Sequence, residues 1–145
     1  MSRRLLAVDV GARRIGLAIS DASATLARPL ETIRVTSDRD AVDRVARRVS
    51  DLAAEDDGLA AIVVGLPVHL DGTPSAESAR VRAFIASLAS RTALPIAVED
   101  ERLTSREAEQ RLATRERDWR RRKQQLDAAA AAIILQDYLD RRAGS

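Results

Sequence analysis

Residues 60–64 read AAIVV, five apolar side chains in a row, with Asp57-Gly58 before them and Gly65 after. A run this short and this apolar is a central strand covered on both faces. A half-exposed strand alternates apolar with polar, and a buried helix needs a longer run. The covering layers have to come from helices elsewhere in the chain, which commits the sequence to an α/β architecture.

Helical spacing lies on either side of that strand. Ser37 and Asp38 can cap a helix running to about Glu55, with Val42, Val45, Val49 and Leu52 on one stripe. Ser75 starts a second helix through about Ser90, with Val81, Phe84, Ile85 and Leu88 aligned. The chain opens on Leu5–Val8, a short buried strand ending in Asp9. Arg14–Ser20 follows after a turn that Gly11 makes possible, and Leu30–Val35 alternates as a half-exposed strand should. Three strands joined by short loops form an antiparallel meander. Gly65–Thr73 is read as loop, Pro95–Val98 as the fifth strand and residues 99–104 as its exit. Thr104 with Glu107 makes a capping box for a further helix. Residues 115–124 are charged and poorly periodic, which predicts a mobile loop. A last helix, Leu126–Arg142, carries Ile133, Ile134, Leu135 and Tyr138 in a long alanine face. The expected order is β-β-β-α-β-α-β-α-α: one α/β domain over residues 1–142, with a five-stranded mixed sheet ordered 3-2-1-4-5 and helices on both faces.

Composition narrows the chemistry. The 145 residues contain no cysteine and one histidine, His69, so neither a disulfide nor a thiolate or histidine metal cluster can be built. A metal-free mechanism using a histidine pair is excluded for the same reason, and His69 is read as a loop residue. Any ion must be held by carboxylates, which selects Mg²⁺ or Mn²⁺. The net charge is only +2, yet the pI is about 9.9, because Lys123 is the single lysine among 24 basic residues. Arginine keeps its proton and matches phosphate oxygens with a two-pronged fork. A GC-rich genome explains arginine and alanine abundance equally well, so composition permits a nucleic-acid partner without demanding one. The N-terminal apolar run is too short for a signal peptide, and nothing approaches the ~20 apolar residues of a membrane span. The expected location is cytoplasmic.

Three carboxylates stand where chemistry is expected. Asp9 closes an apolar strand, where a bare buried charge is costly unless paired or bound to metal. Glu101 lies in the EDER segment past the fifth strand, at the same sheet edge as Asp9 if the two strands are parallel; ligand sites of open α/β sheets lie at such edges. Two spacings of about 4.8 Å separate strands one and five in this order, wide for one ion but suited to a pair about 3.5–4 Å apart. Glu99 and Asp100 are rivals, since one residue of register exchanges which side chain points inward. Asp127 opens the last helix beside small alanines that would let it lie close on the sheet. Each has a plainer reading: a turn cap for Asp9, a solvated loop for Glu101, a helix N-cap for Asp127.

The segments DVGARRIGLAISD, VGLPVHLDGT, EDERLTSREAEQRL and RKQQLDAAAAAIILQDYLD, in this order and spacing, resemble the YqgF family, also called RuvX, over Leu5 to Asp140. The resemblance implies an RNase H-like fold and two-metal nuclease chemistry. It also implies a role in maturing the 5′ end of pre-16S ribosomal RNA or in resolving Holliday junctions. The family's acidic triad falls on Asp9, Glu101 and Asp127. Three departures leave the triad untouched. Arg13 stands where a lysine is common, Pro74-Ser75 follow DGT where a glycine is usual, and Ser105 replaces a threonine.

A binding surface is legible as well. Between Arg102 and Lys123, nine basic residues face four acidic ones, an excess greater than that of the whole chain, whereas residues 38–57 are net acidic. This asymmetry suits a protein with one phosphate-facing side. Arg13, Arg14, Arg102, Arg120, Arg121, Arg122 and Lys123 are the candidate nucleic-acid contacts, and Trp119 can stack on an unpaired base or fold back on the domain. Two function classes follow. One is a metal-dependent endonuclease on structured nucleic acid. The other is a non-catalytic nucleic-acid-binding factor of ribosome assembly. A phosphotransferase of the actin and sugar-kinase superfold also opens on a strand with DxG, but it needs two duplicated domains. A monomer or a homodimer is compatible with the sequence, twofold symmetry being suited to a four-way junction.

Overall fold

The computed structural model describes residues 3–67, 73–100 and 119–143, and of 119–126 the backbone alone. Five strands, β1 (Arg4–Val10), β2 (Arg14–Ser20), β3 (Ala27–Arg34), β4 (Leu59–Leu66) and β5 (Ile96–Asp100), form one sheet in the order β3-β2-β1-β4-β5. β1, β2 and β3 pair antiparallel, and β4 and β5 add in parallel. This is the topology expected from the meander and the crossovers. Helices α1 (Asp38–Ala53) and α2 (Ala76–Ala89) make the crossovers.

The pleat divides the core into two layers. Leu6, Val8, Ile62 and Val64 point to one face and pack with Val45, Val49, Phe84 and Leu88 of α1 and α2. Leu5, Ala7, Ala18 and Val63 point to the other, where Ala131, Ile134, Leu135 and Leu139 of the last helix, α3 (Trp119–Ala143), cover them. β4 is therefore covered on both faces, as its unbroken apolar run requires.

Local signals explain the ends of the elements. The Ser37 hydroxyl caps α1 by accepting from Asp40 N at 3.0 Å, and the Asp40 carboxylate accepts in return from Thr36 N at 2.9 Å. Ser75 and Ser78 form a capping box at the start of α2. Ser75 Oγ accepts from Ser78 N at 3.2 Å, and Ser78 Oγ accepts from Ser75 N at 2.8 Å. Both hydroxyls also lie within hydrogen-bond reach of the Pro67 carbonyl, drawing together the two ends of the intervening segment.

Several boundaries differ from the sequence reading. β4 takes in Gly65 and Leu66, and β5 takes in Glu99 and Asp100, because Gly65 pairs with Glu99 and Leu66 with Asp100. Ladder bonds join backbones whatever the side chains, so strands outlast their apolar runs. β3 starts at Ala27, and Pro29 is tolerated because β3 is an edge strand. The largest correction concerns residues 119–124, expected as loop, which are the first turns of α3. Arginine, lysine and glutamine are good helix formers, and an apolar stripe reports burial, not helicity. Asp127 is consequently the ninth residue of α3, and its N-cap reading is withdrawn. The Thr104 helix lies outside the described residues.

The β2–β3 connection is organised by Asp21. Its carboxylate accepts from Thr25 N at 2.8 Å, Leu26 N at 3.2 Å and Ser23 Oγ at 2.8 Å. These bonds, the Thr25 amide first, hold its pKa below the ordinary aspartate value. A carboxyl depressed in the folded state stabilises above its unfolded pKa and loses that contribution as pH falls through the folded one. Urea unfolding between pH 6 and pH 2 is expected to show an acid-side loss of stability that is smaller in Asp21→Asn. An identical acid limb in both proteins would contradict this account of the turn.

Candidate active site

The site is built around a missing side chain. Asp9 lies directly opposite Gly16 in the β1–β2 ladder. By alternation Asp9, like Leu5 and Ala7, points to the face that α3 covers. A methyl group placed on Gly16 would sit 2.0 Å from the Asp127 carbonyl oxygen and 3.0 Å from Ala128 N. The helix backbone thus rests directly on the strand at this point, where any other residue would hold it off. Paired residues in an antiparallel ladder lie about 4.5–5.5 Å apart at Cα, so seating Asp127 on Gly16 brings it beside Asp9. Both aspartates are half-buried, and Asp127 Oδ2 is itself buried.

A second contact fixes α3 lengthwise. Gln136 Oε1 accepts from Ala27 N at 2.9 Å, and its Nε2 donates to Thr25 O at 2.9 Å. Gln136 lies nine residues beyond Asp127, about 13 Å along the helix. With its far end bonded to the start of β3 and its near end seated on Gly16, the helix cannot slide.

The rival carboxylates separate by face. β4 pairs Val64 with Val8, so Gly65 lies level with Asp9, and Gly65 pairs with Glu99. Glu99 thus stands on the α3 face, two strand spacings (about 10 Å) from Asp9, with no side chain on Gly65 between them. Alternation puts Asp100 on the opposite face. Glu99 is only 4% exposed and is tied to Arg141 of α3. Burial pushes its pKa up against the opposing pull of Arg141, and the nearby charge of Asp137 adds to the rise. Its carboxylate is engaged by the C-terminal end of α3, more than ten residues beyond Asp127. Among the described residues no three acidic or histidine side chains form a metal-binding group.

Beside Asp127 a cleft of about 760 Å³ opens at the end of the sheet, lined among others by Arg13, Arg14, Arg34, Thr36 and Arg44. Its wall is the β1–β2 turn. There Gly11 N donates to Arg14 O at 2.9 Å, and the Arg13 carbonyl accepts from Val35 N at 2.9 Å. A side chain at Gly11 would meet Arg14 O at 2.6 Å, so this turn also depends on glycine. A smaller cavity of about 400 Å³ lies between α1 and α2, floored by Val10, Val42 and Phe84, and none of the described candidate carboxylates lines it.

Residues 3–141 match the sequence profile of the family described as RuvX, Holliday junction resolvase. The chain belongs to the RuvX family. A Chloroflexus aurantiacus protein named "Putative pre-16S rRNA nuclease" is 43% identical over 138 residues, covering 95% of this chain and 87% of the relative. A Paramagnetospirillum magneticum protein of the same name is 39% identical over 142 residues, covering 98% and 88%. Among solved structures, Thermus thermophilus RuvC in complex with a Holliday junction substrate superposes with a TM-score of 0.58 at 17% identity, over 98% of this chain and 96% of that one. At that identity the likeness shows the fold, which is RNase H-like.

In this RuvX chain Asp127 is seated on Gly16, the ladder partner of Asp9, and Arg13 and Arg14 line the adjoining cleft. His69, Glu101 and Arg102 lie outside the described residues, as do the side chains of Trp119, Arg120, Arg121, Arg122 and Lys123. No described helix is long and apolar enough to cross a membrane. The sequence reading missed Gly16, Arg34 and Arg44. A glycine inside a strand pattern signals close backbone approach, which was the available clue to Gly16. Arg44 was hidden in a segment of net acidic charge, and Arg34 closes a strand with no motif around it.

Gly16→Ala is therefore expected to push the helix off the strand. The obstacle is backbone and cannot rotate away, so the cost is at least the ~1–3 kcal/mol of an overpacked core. Chemical denaturation should show the lower stability while far-UV circular dichroism keeps its helical signal. A Gly16→Ala protein as stable as the parent would mean that α3 does not seat there.

Proposed function

We propose that this chain is a metal-dependent endonuclease that hydrolyses phosphodiesters of structured nucleic acid. Its best-supported substrates are the 5′ region of pre-16S ribosomal RNA and the Holliday junction. The observation that carries this reading is the seat of Asp127 on Gly16, the residue paired with Asp9 at the C-terminal end of the first strand. The names of the relatives point the same way.

The donors present suit a hard divalent ion. Both are carboxylates at a sheet edge, and one oxygen of Asp127 is withdrawn from water. In this reading Asp9, Glu101 and Asp127 hold Mg²⁺ or Mn²⁺. Glu101 is preferred to Glu99 because Glu99 is hidden and committed to Arg141. Asp100 is set aside because alternation puts it on the face away from α3. Bound there, divalent ions supply an activated water and stabilise the departing alkoxide. The protein's own part is to hold the carboxylates in place through the Gly16 seat and to orient the backbone with arginine. Arg13 and Arg14 line the cleft beside Asp127, and Arg102, Arg120, Arg121, Arg122 and Lys123 supply the remaining phosphate contacts.

The decisive comparison is cleavage of a pre-16S RNA fragment and a four-way DNA junction, with Mg²⁺, Mn²⁺ or EDTA. Asp9→Asn and Asp127→Asn should each lose more than the ~10–100-fold that removing an outer partner of a metal ligand costs. Their melting temperatures without metal should be unchanged or raised, because each removes a negative charge from an acidic strand end and, at Asp127, asparagine is as good a helix residue as aspartate. Glu101→Gln should behave likewise, and Glu99→Gln should retain most activity. Full activity in Asp127→Asn would remove it from the site. Binding without cleavage by the parent protein would instead favour an assembly factor.

A further inference from the structure

Arg14 and Arg34 are direct cross-strand partners in the β2–β3 ladder. Like charges facing one another across a ladder repel, and sheets ordinarily place an acid or a neutral residue in one of the two positions. Neither arginine forms an ion pair with a described acid, and Arg14 Nη1 is buried without a hydrogen-bond partner among the described residues. A buried guanidinium nitrogen with no acceptor is costly unless an anion arrives to accept from it.

The surroundings add positive charge. The cleft these two share is also lined by Arg13 and Arg44, so among the described residues four arginines and one carboxylate, that of Asp127, line it. Arg44 is oriented and not consumed. Its Nε donates to Asp40 Oδ1 at 3.2 Å, which leaves the terminal nitrogens of the fork available. Asp40 is itself fixed by Thr36, whose amide and hydroxyl both donate to Oδ2. Asp40 is a positioning residue for Arg44.

We propose that the Arg14–Arg34 pair, extended by Arg44, is a cradle for a backbone phosphate of the nucleic acid, next to the phosphate that is cut beside Asp127. It rests on the nuclease reading and adds to it an arm along the ends of β3 and α1, on a segment whose net charge is acidic. The ligand chemistry is a phosphodiester oxygen, common to RNA and DNA. The repulsion within the pair persists in the free protein and is relieved only when the anion is seated.

The test is binding of a labelled RNA stem-loop and a labelled four-way DNA junction in EDTA, over a range of salt, by the parent, Arg34→Gln/Arg44→Gln and Arg82→Gln. Arg82 is exposed on α2, away from the cleft. The double variant is expected to bind more weakly, and its slope of log K against log salt should be shallower by about 0.7–0.9 for each arginine removed. Arg82→Gln should match the parent. In low salt without nucleic acid, the double variant should melt at or above the parent's temperature, which a merely structural pair would not allow. An unchanged slope in the double variant, or weaker binding accompanied by a lower melting temperature, overturns the cradle and leaves the nuclease reading standing. A parent protein that binds neither nucleic acid removes both. A loss confined to the RNA arm or the DNA arm supports the cradle and names the nucleic acid it grips.

Discussion

Everything at the candidate site depends on how closely one helix lies on one strand. The backbone of α3 meets β2 at Gly16 with no side chain between them, and this contact sets the height of Asp127 above the sheet. Gln136, bonded to both sides of the β3 entrance, fixes the same helix along its length. The alanines at 128–132 allow the approach because they add little bulk. Packed layers do not deform smoothly, so a helix held at two points carries its functional residue with little latitude. An acid on a loop would lack that constraint.

The electrostatics of the sheet edge run against stability. One aspartate is seated on the ladder partner of another, a third carboxylate is buried against Arg141, and two arginines are paired across β2 and β3. Folding alone favours none of these arrangements, since like charges repel and buried ones lose hydration. Their cost is offset elsewhere, by two apolar layers whose central side chains are fully enclosed. Acidic and basic groups are also sorted in space, carboxylates on the strand end and helix, arginines around the cleft.

Much of the fold was legible because it rests on local periodicity. The AAIVV run of β4, the stripes of α1 and α2, and the caps at Ser37 and Ser75 each express burial or hydrogen bonding along a few residues. The first turns of α3 were misread because charged helix formers leave no apolar stripe. The ends of β4 and β5 were misread because ladder pairing continues past the apolar side chains that announce a strand. At the site, Asp9, Asp127 and the rivals around Glu101 could be named from residue type and position. Nothing local distinguished Glu99, enclosed and bonded to Arg141, from its neighbours.

The sequence by itself determined the layer architecture and the chemistry open to the chain, because periodicity, composition and the lack of cysteine act residue by residue. Only the tertiary structure decided which groups meet. Gly16 and Asp127 are 111 positions apart, Arg14 and Arg34 twenty, and Glu99 and Arg141 forty-two. Such pairs arise where strand register and helix seating coincide. Both are properties of packing in three dimensions, to which no single segment's pattern is sensitive.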